Sequence, residues 1–214
     1  MDTKASKLNV RQGWMVVALV TAILLIDQII KIWVKTHMAL HESIHVFDWF
    51  YIAFVENNGM AFGWHLGSKI VLSLFRVVAI AALTVYIVRL LRRQTRTGYI
   101  VCLAMILAGA AGNLIDCMFY GLTFSASSET YAAWMVPFGN GYAPFLMGKV
   151  VDMFYFPIIV STWPQWMPFW GGQDFIFFSP VFNFADSAIS VGVVALLIFY
   201  HKELSELNKM EKRQ

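Results

Sequence analysis

The sequence predicts a mainly α membrane protein: four transmembrane helices with both termini in the cytoplasm, a small β-containing extracytoplasmic segment, and loops lying at the interface. Three observations carry that fold class. Of 214 residues, 59% are hydrophobic and 14% charged, and the mean hydropathy is +0.63, all beyond the usual range of soluble domains. Four apolar runs, at 14–33, 70–91, 99–120 and 182–200, match the roughly 20 residues needed to cross a hydrocarbon core. Eleven of the 16 Lys and Arg residues fall in three short segments: Lys4, Lys7 and Arg11; Arg89, Arg92, Arg93 and Arg96; and Lys202, Lys209, Lys212 and Arg213.

Basic residues are retained on the cytoplasmic side. Both ends and the middle loop therefore face inward, leaving 34–69 and 121–181 outside. Seven of the eight Trp lie in or beside those outward stretches, where indoles favour the interface. The first span follows a basic segment as a secretory signal would, but no small-x-small cleavage site follows it, so it is expected to remain as a helix. Next, 46–55 is aromatic and β-branched, too short to span, and runs into a turn-like Glu56-Asn57-Asn58-Gly59; it reads as one or two strands on the outer surface. Cys102 and Cys117 stand about 22 Å apart along the third span, beyond disulfide reach, and are expected as free thiols. Residues 122–147 are rich in Ser, Gly, Tyr and Ala, while 157–180 hold four of the six prolines; both read as irregular interfacial loops. From Lys202 onward the chain reads as a charged helical extension. No repeat and no linker divides the chain, so 1–214 is read as a single integral membrane domain. The net charge of +3 comes from the topogenic ends, and no nucleic acid partner is expected.

Polar residues in lipid spans are costly and mark function. The third span ends in Gly109, Gly112, Asn113 and Asp116 on one helical face, where small residues permit close packing and the two polar ones clamp a neighbour. The fourth span opens with Asn183, Asp186 and Ser190 on one face. Asn183 suits an N-cap, and Asp186 at the third position suits a capping acid favoured by the helix dipole. Asp152, between these spans, lies at the same outer depth. Two adjacent carboxylates do not both ionise cheaply, so one keeps a proton. That supplies a base to activate water and an acid to meet the developing oxyanion. Depth alone leaves their separation open. Asp27 and Lys31, one helical turn apart in the first span, suit an internal ion pair. Asn57, with Gly59, Ala61 and Phe62, forms a polar turn that either aims donors at a substrate or stabilises its own loop.

One competing motif is His41-Glu42-Ser43-Ile44-His45, an H-E-x-x-H pattern with His37 a turn earlier. As a zinc site it requires a helix and a third ligand, and this stretch leads into an aromatic, β-branched segment. A small proton-coupled carrier is the other alternative, but transport predicts mid-membrane polar residues and often repeats, whereas these acids cluster at one face. No cofactor and no metal are expected.

Five blocks fall in an order that resembles lipoprotein signal peptidase, signal peptidase II: Asp27-Gln28-Ile29-Ile30-Lys31, Asn57-Asn58-Gly59-Met60-Ala61-Phe62, Gly112-Asn113-Leu114-Ile115-Asp116, Gly148-Lys149-Val150-Val151-Asp152 and Phe182-Asn183-Phe184-Ala185-Asp186-Ser187. The resemblance implies an aspartyl endopeptidase of the bacterial cytoplasmic membrane with Asp152 and Asp186 as its catalytic pair on the extracytoplasmic side. It would remove signal peptides from diacylglyceryl-modified prolipoproteins, cutting before the lipidated cysteine. Asn57, Gly59, Asn113, Asp116, Asn183, Ala185 and Ser187 would bind substrate or support the pair, and Asp27 with Lys31 would stabilise the fold. The implied partners are prolipoproteins, membrane lipid and globomycin-like inhibitors. Two departures stand out: Cys117 occupies the place of a usual arginine, and the outward loops are longer than in the compact form of the family.

Overall fold

The structure, a computed structural model, describes residues 9–58, 69–93 and 95–204. Helix α1 (Val10–His37) is opened by Asn9, whose side chain accepts from the backbone N–H of Gln12, and ends at an extended Met38 with Lys35 and His37 in its last turn, cations that suit the negative end of a helix dipole. Helix α2 spans Lys69–Arg92 and α3 spans Thr97–Ile115. The helix then widens into a π turn over Asp116–Tyr120 and closes in a last turn, α4 (Gly121–Thr123). Helix α5 covers Phe184–Phe199. Three helical stretches, Val10–His37, Lys69–Arg92 and Thr97–Thr123, are long and apolar enough to cross a membrane, and α5 is a shorter apolar helix.

Four strands form one antiparallel sheet in the order β1-β2-β3-β6: β1 (Ser43–Phe47), β2 (Phe50–Asn57), β3 (Val150–Tyr155) and β6 (Val181–Phe182). The aromatic segment expected near 46–55 is thus a hairpin, but it turns at Asp48-Trp49 and β2 runs on to Asn57. The stretch 157–180 is not wholly irregular: β4 (Ile159–Thr162) and β5 (Asp174–Phe177) pair as a separate two-stranded sheet, as β-branched Ile-Val-Ser-Thr favours. Nor is 122–147 merely a surface loop. Phe124 and Ala133 are buried, the Ala133 N–H donates to the Lys35 carbonyl, and the Leu40 N–H donates to the Ser128 carbonyl. The loop is therefore docked on the end of α1.

Packing divides by depth. At one end Tyr99, Ile100 and Leu103 of α3 pack with Leu90, Leu91 and Val16. At the other, Val34 of α1 and Met38 just beyond it pack with Phe54, Tyr120, Val151 and Met153, seating the sheet on the helices. Between them α3 and α5 meet along small residues. A Cβ on Gly109 would lie 2.3 Å from the Ala185 carbonyl oxygen, and one on Gly112 would lie 2.7 Å from Asp27 Oδ2, so only glycine permits this approach.

Candidate active site

Alternation along a strand sends every second side chain to one face. Asp152 of β3 lies opposite Val55 of β2, so Asn57, two residues on, shares its face, and Asn57 Nδ2 donates to Asp152 Oδ2 at 3.2 Å. Strand β6 delivers the chain to α5, where Asn183 caps the helix and accepts from the Asp186 N–H at 2.9 Å, while Asp186 Oδ2 accepts from the Asn183 N–H at 3.3 Å. This capping box fixes Asp186 at the first turn. Asp152, Asn113 and Asn183 are buried, and Asp186 is half-buried.

Two side-chain amides relay between the two acids. Asn183 Nδ2 donates to Asp152 Oδ1 at 2.6 Å and to Asn113 Oδ1 at 3.1 Å, and Asn113 Nδ2 donates to Asp186 Oδ1 at 2.8 Å. The orientation of Asn113 follows from Lys31, whose Nζ lies 2.9 Å from it. An ammonium only donates, so the amide must turn its oxygen to Lys31 and its NH₂ to Asp186. Lys31 itself is fully buried between Asp27 Oδ2 at 3.0 Å and Asp116 Oδ2 at 2.8 Å. Asp27 Oδ1 accepts from the Ala185 N–H at 2.9 Å, tying α1 to the start of α5. Gln28 completes the cluster, donating to Asp116 Oδ1 at 2.9 Å and accepting from the Tyr120 hydroxyl at 3.1 Å.

Burial, and then the charge of Asp186, push the Asp152 carboxyl up to about 7, against the opposing amide donors of Asn57 and Asn183. A carboxyl raised in this way next to a second acid is an arrangement that can supply a proton donor at neutral pH.

The remaining predicted positions separate. The Ser187 hydroxyl donates to the Asn183 carbonyl at 3.0 Å, bracing the first turn rather than facing the acids. Gly59, Ala61 and Phe62 lie outside the described residues. His41 and His45 share no helical face: His41 is in a turn with φ 68°, Glu42 Oε2 accepts from the Ala39 N–H, and His45 is in β1 beside Asp48. The H-E-x-x-H pattern is therefore a corner and a strand. Among the described residues no group of three or more His, Cys, Asp or Glu is placed to hold a metal. Cys102 and Cys117 are free and buried. Beside Cys117 stands Arg76 of α2, its Nη1 3.1 Å from the sulfur, so a guanidinium reaches this position from another helix. The sequence assigns Gln28 and Arg76 no role, although each is a polar residue inside an apolar run, the kind of position that marks function.

A model of the family described as signal peptidase (SPase) II matches residues 19–202. Lipoprotein signal peptidase of Porphyromonas gingivalis is 51% identical over 197 residues, 92% of this chain and 87% of that one. The lipoprotein signal peptidase of Amoebophilus asiaticus is 31% identical over 195 residues, 88% of this chain and 78% of that one. A solved bacterial membrane enzyme has the same fold, with a TM-score of 0.59 at 22% identity and 90% of each chain covered. With most of its length matched and its polar blocks gathered at one site, the chain belongs to the signal peptidase II family, the lipoprotein signal peptidases.

Proposed function

We propose that Asp152 and Asp186 are the catalytic pair of an aspartic endopeptidase that removes signal peptides from diacylglyceryl-modified prolipoproteins, cutting before the lipidated cysteine. The observation that carries this is the single amide of Asn183 bonded to Asp152 while its backbone and that of Asp186 lock the second acid in place. Asp186, less buried, takes a proton from water as the water oxygen attacks the scissile carbonyl carbon. Asp152 gives its proton to the carbonyl oxygen, forming a neutral gem-diol and leaving the charge exchanged between the acids. In collapse, the Asp186 carboxyl proton passes to the departing cysteine nitrogen while a gem-diol hydroxyl returns its proton to Asp152, the C–N bond breaks, and the signal peptide leaves as a carboxylic acid with both acids back in their starting states. Asn57 and Asn183 hold Asp152 in line, and Asn113 does so for Asp186; Asp116, Ala185 and Ser187 support these residues. Lys31 with Asp27 and Asp116 fixes the frame.

In this reading α5, about 24 Å long at 1.5 Å per residue, makes a fourth crossing with its flanking residues, and both termini lie in the cytoplasm. The pair then sits at the extracytoplasmic rim of the bacterial inner membrane, where a lipid-anchored cysteine presents its bond without entering the hydrocarbon. Membrane lipid and globomycin-like cyclic peptides are the other partners expected in this cleft.

Cleavage of a diacylglyceryl-modified prolipoprotein peptide tests the assignment. Asp152→Asn and Asp186→Asn should each lower turnover by at least about a thousandfold, as expected when an acid or base is removed. His41→Ala and a chelator should leave it unchanged. Substantial turnover by either Asn variant would overturn the pair.

A further inference from the structure

A second buried charge cluster lies on the opposite face of the strands that carry the acids. Glu56 precedes Asn57 in β2 and pairs with Val151, which precedes Asp152 in β3; by strand alternation their side chains leave the face on which Asn57 meets Asp152. On that reverse face Glu56 Oε1 meets Lys35 of α1, and Glu56 Oε2 accepts from Lys149 Nζ at 2.8 Å. Ser127 of the long loop closes the cluster, donating to Glu56 Oε1 at 2.7 Å and accepting from Lys35 Nζ at 2.9 Å. The loop's Tyr142 ring lies 4.9 Å from Lys35 Nζ, and its hydroxyl accepts from the Lys149 N–H at 2.6 Å. Lys35 is fully buried.

A fully buried ammonium is costly unless paired and bonded, so this arrangement has to be retained for what it holds. We propose that the Lys35–Glu56–Lys149 cluster, closed by the 122–147 loop, is a positioning brace for the reaction: it pins β2 and β3 to α1 from behind and thereby sets the reach of Asn57 to Asp152. The proposal rests on the reading of Asp152 and Asp186 as the catalytic pair. Its geometry is independent of substrate. Glu56 of β2 immediately precedes Asn57, and Lys149, just ahead of β3, stands three residues before Asp152. Burial opposes the charge on Glu56, but Lys35, with the hydrogen bonds from Lys149 and Ser127, outweighs it and holds the carboxyl below its usual range. The charges that face Asp152 are Asp186 from α5 and Lys31 from α1, and neither belongs to the brace.

The test is kinetic and uses the full chain in detergent or lipid. Glu56→Asp keeps the charge but shortens the reach, so direct electrostatics on Asp152 change little while the strand loosens. The expected result is a fall in kcat of about tenfold with KM within about twofold, as for a small misplacement of a reacting group. The alkaline limb of the pH profile should also move up by about half a unit, because a weaker Asn57 donor favours the protonated form of Asp152. Ser127→Ala, a neutral change, should move both readouts the same way by about threefold in kcat, and it serves where Glu56→Asp yields too little folded enzyme. A brace with only a structural role would lower thermal stability yet leave kcat per folded molecule and the pH limb at parental values, and that result overturns the proposal. Asp152→Asn and Asp186→Asn are run alongside. If either is active, the catalytic pair and the brace fall together; if both are dead while Glu56→Asp and Ser127→Ala keep parental kcat and limb, the brace alone falls.

Discussion

Asn183 shows how one side chain answers to two demands. Its oxygen begins a helix and its nitrogen holds a buried acid, so substitutions can separate the roles. Asp caps a helix about as well as Asn, but it brings no donor and adds a third carboxylate. Asn183→Asp should therefore keep the helix, read by far-ultraviolet circular dichroism, while lowering kcat/KM by about a hundredfold or more, the equivalent of losing a charge-assisted bond of roughly 2–3 kcal/mol. Asp152 carries a pH signature of its own. Its folded value of about 7 exceeds that of an ordinary carboxylate near 4, so between those pH values the unfolded chain has released a proton that the folded one keeps. Stability contributed by this group is complete below about pH 4 and is lost as pH rises toward 7, at no more than about 1.4 kcal/mol per unit. Thermal unfolding of the parent should fall across that window, and Asp152→Asn should flatten the slope; an unchanged slope would count against protonation at this position.

Among elements, the seam between α3 and α5 sets the tolerance of the site. Ala185 immediately precedes Asp186, and its carbonyl oxygen lies where a side chain on Gly109 would begin. Gly109→Ala should push α5 away, with a loss of about 1–3 kcal/mol as for overpacking and a fall in activity, while Gly13→Ala, with open space around it, should change neither. The helices are legible from apolar runs long enough to cross a hydrocarbon core, and the small and polar faces of α3 and α5 from residues that recur at helical spacing. The strands were less so. Asp152 was identified by its charge and depth with no strand expected around it, since six residues leave too little periodicity. The H-E-x-x-H pattern misleads for a related reason: its spacing implies a shared face only on a helix, and the positive φ of His41 followed by β1 breaks that period. Prolines at 157 and 180 drew attention to turns and masked the pairing of β4 with β5.

Across the whole molecule the basic residues have two separate employments. Eleven lie in three short segments at the two ends and the middle of the chain, and the other five are Lys31, Lys35, Lys69, Arg76 and Lys149. Those five gather around the polar site: Lys31 on Asp27 and Asp116, Lys35 and Lys149 on Glu56, Lys69 donating to Asn58, and Arg76 against Cys117. The i, i+4, i+8 spacing of Asp27, Lys31 and Lys35 was visible in the sequence, but the partners of Lys35 come from distant segments and only folding reveals them. Lys31→Met should leave Asp27 and Asp116 buried without their cation, a loss of about 3–5 kcal/mol measurable as lower thermal stability in detergent. Retained stability would mean that the two carboxylates find protons or water instead.

The middle of the chain that connects the two acids does not hold them: β2 flanks Asp152, Asn113 of α3 flanks Asp186, and only the end of the connection, β6 and Asn183, reaches the site. The connecting hairpin pairs only within itself as a sheet and turns through Gly172 at φ 78°. Severing the backbone at Gly171-Gly172 should accordingly yield two fragments that reassemble on co-expression into a working split enzyme, with complementation of prolipoprotein cleavage as the readout.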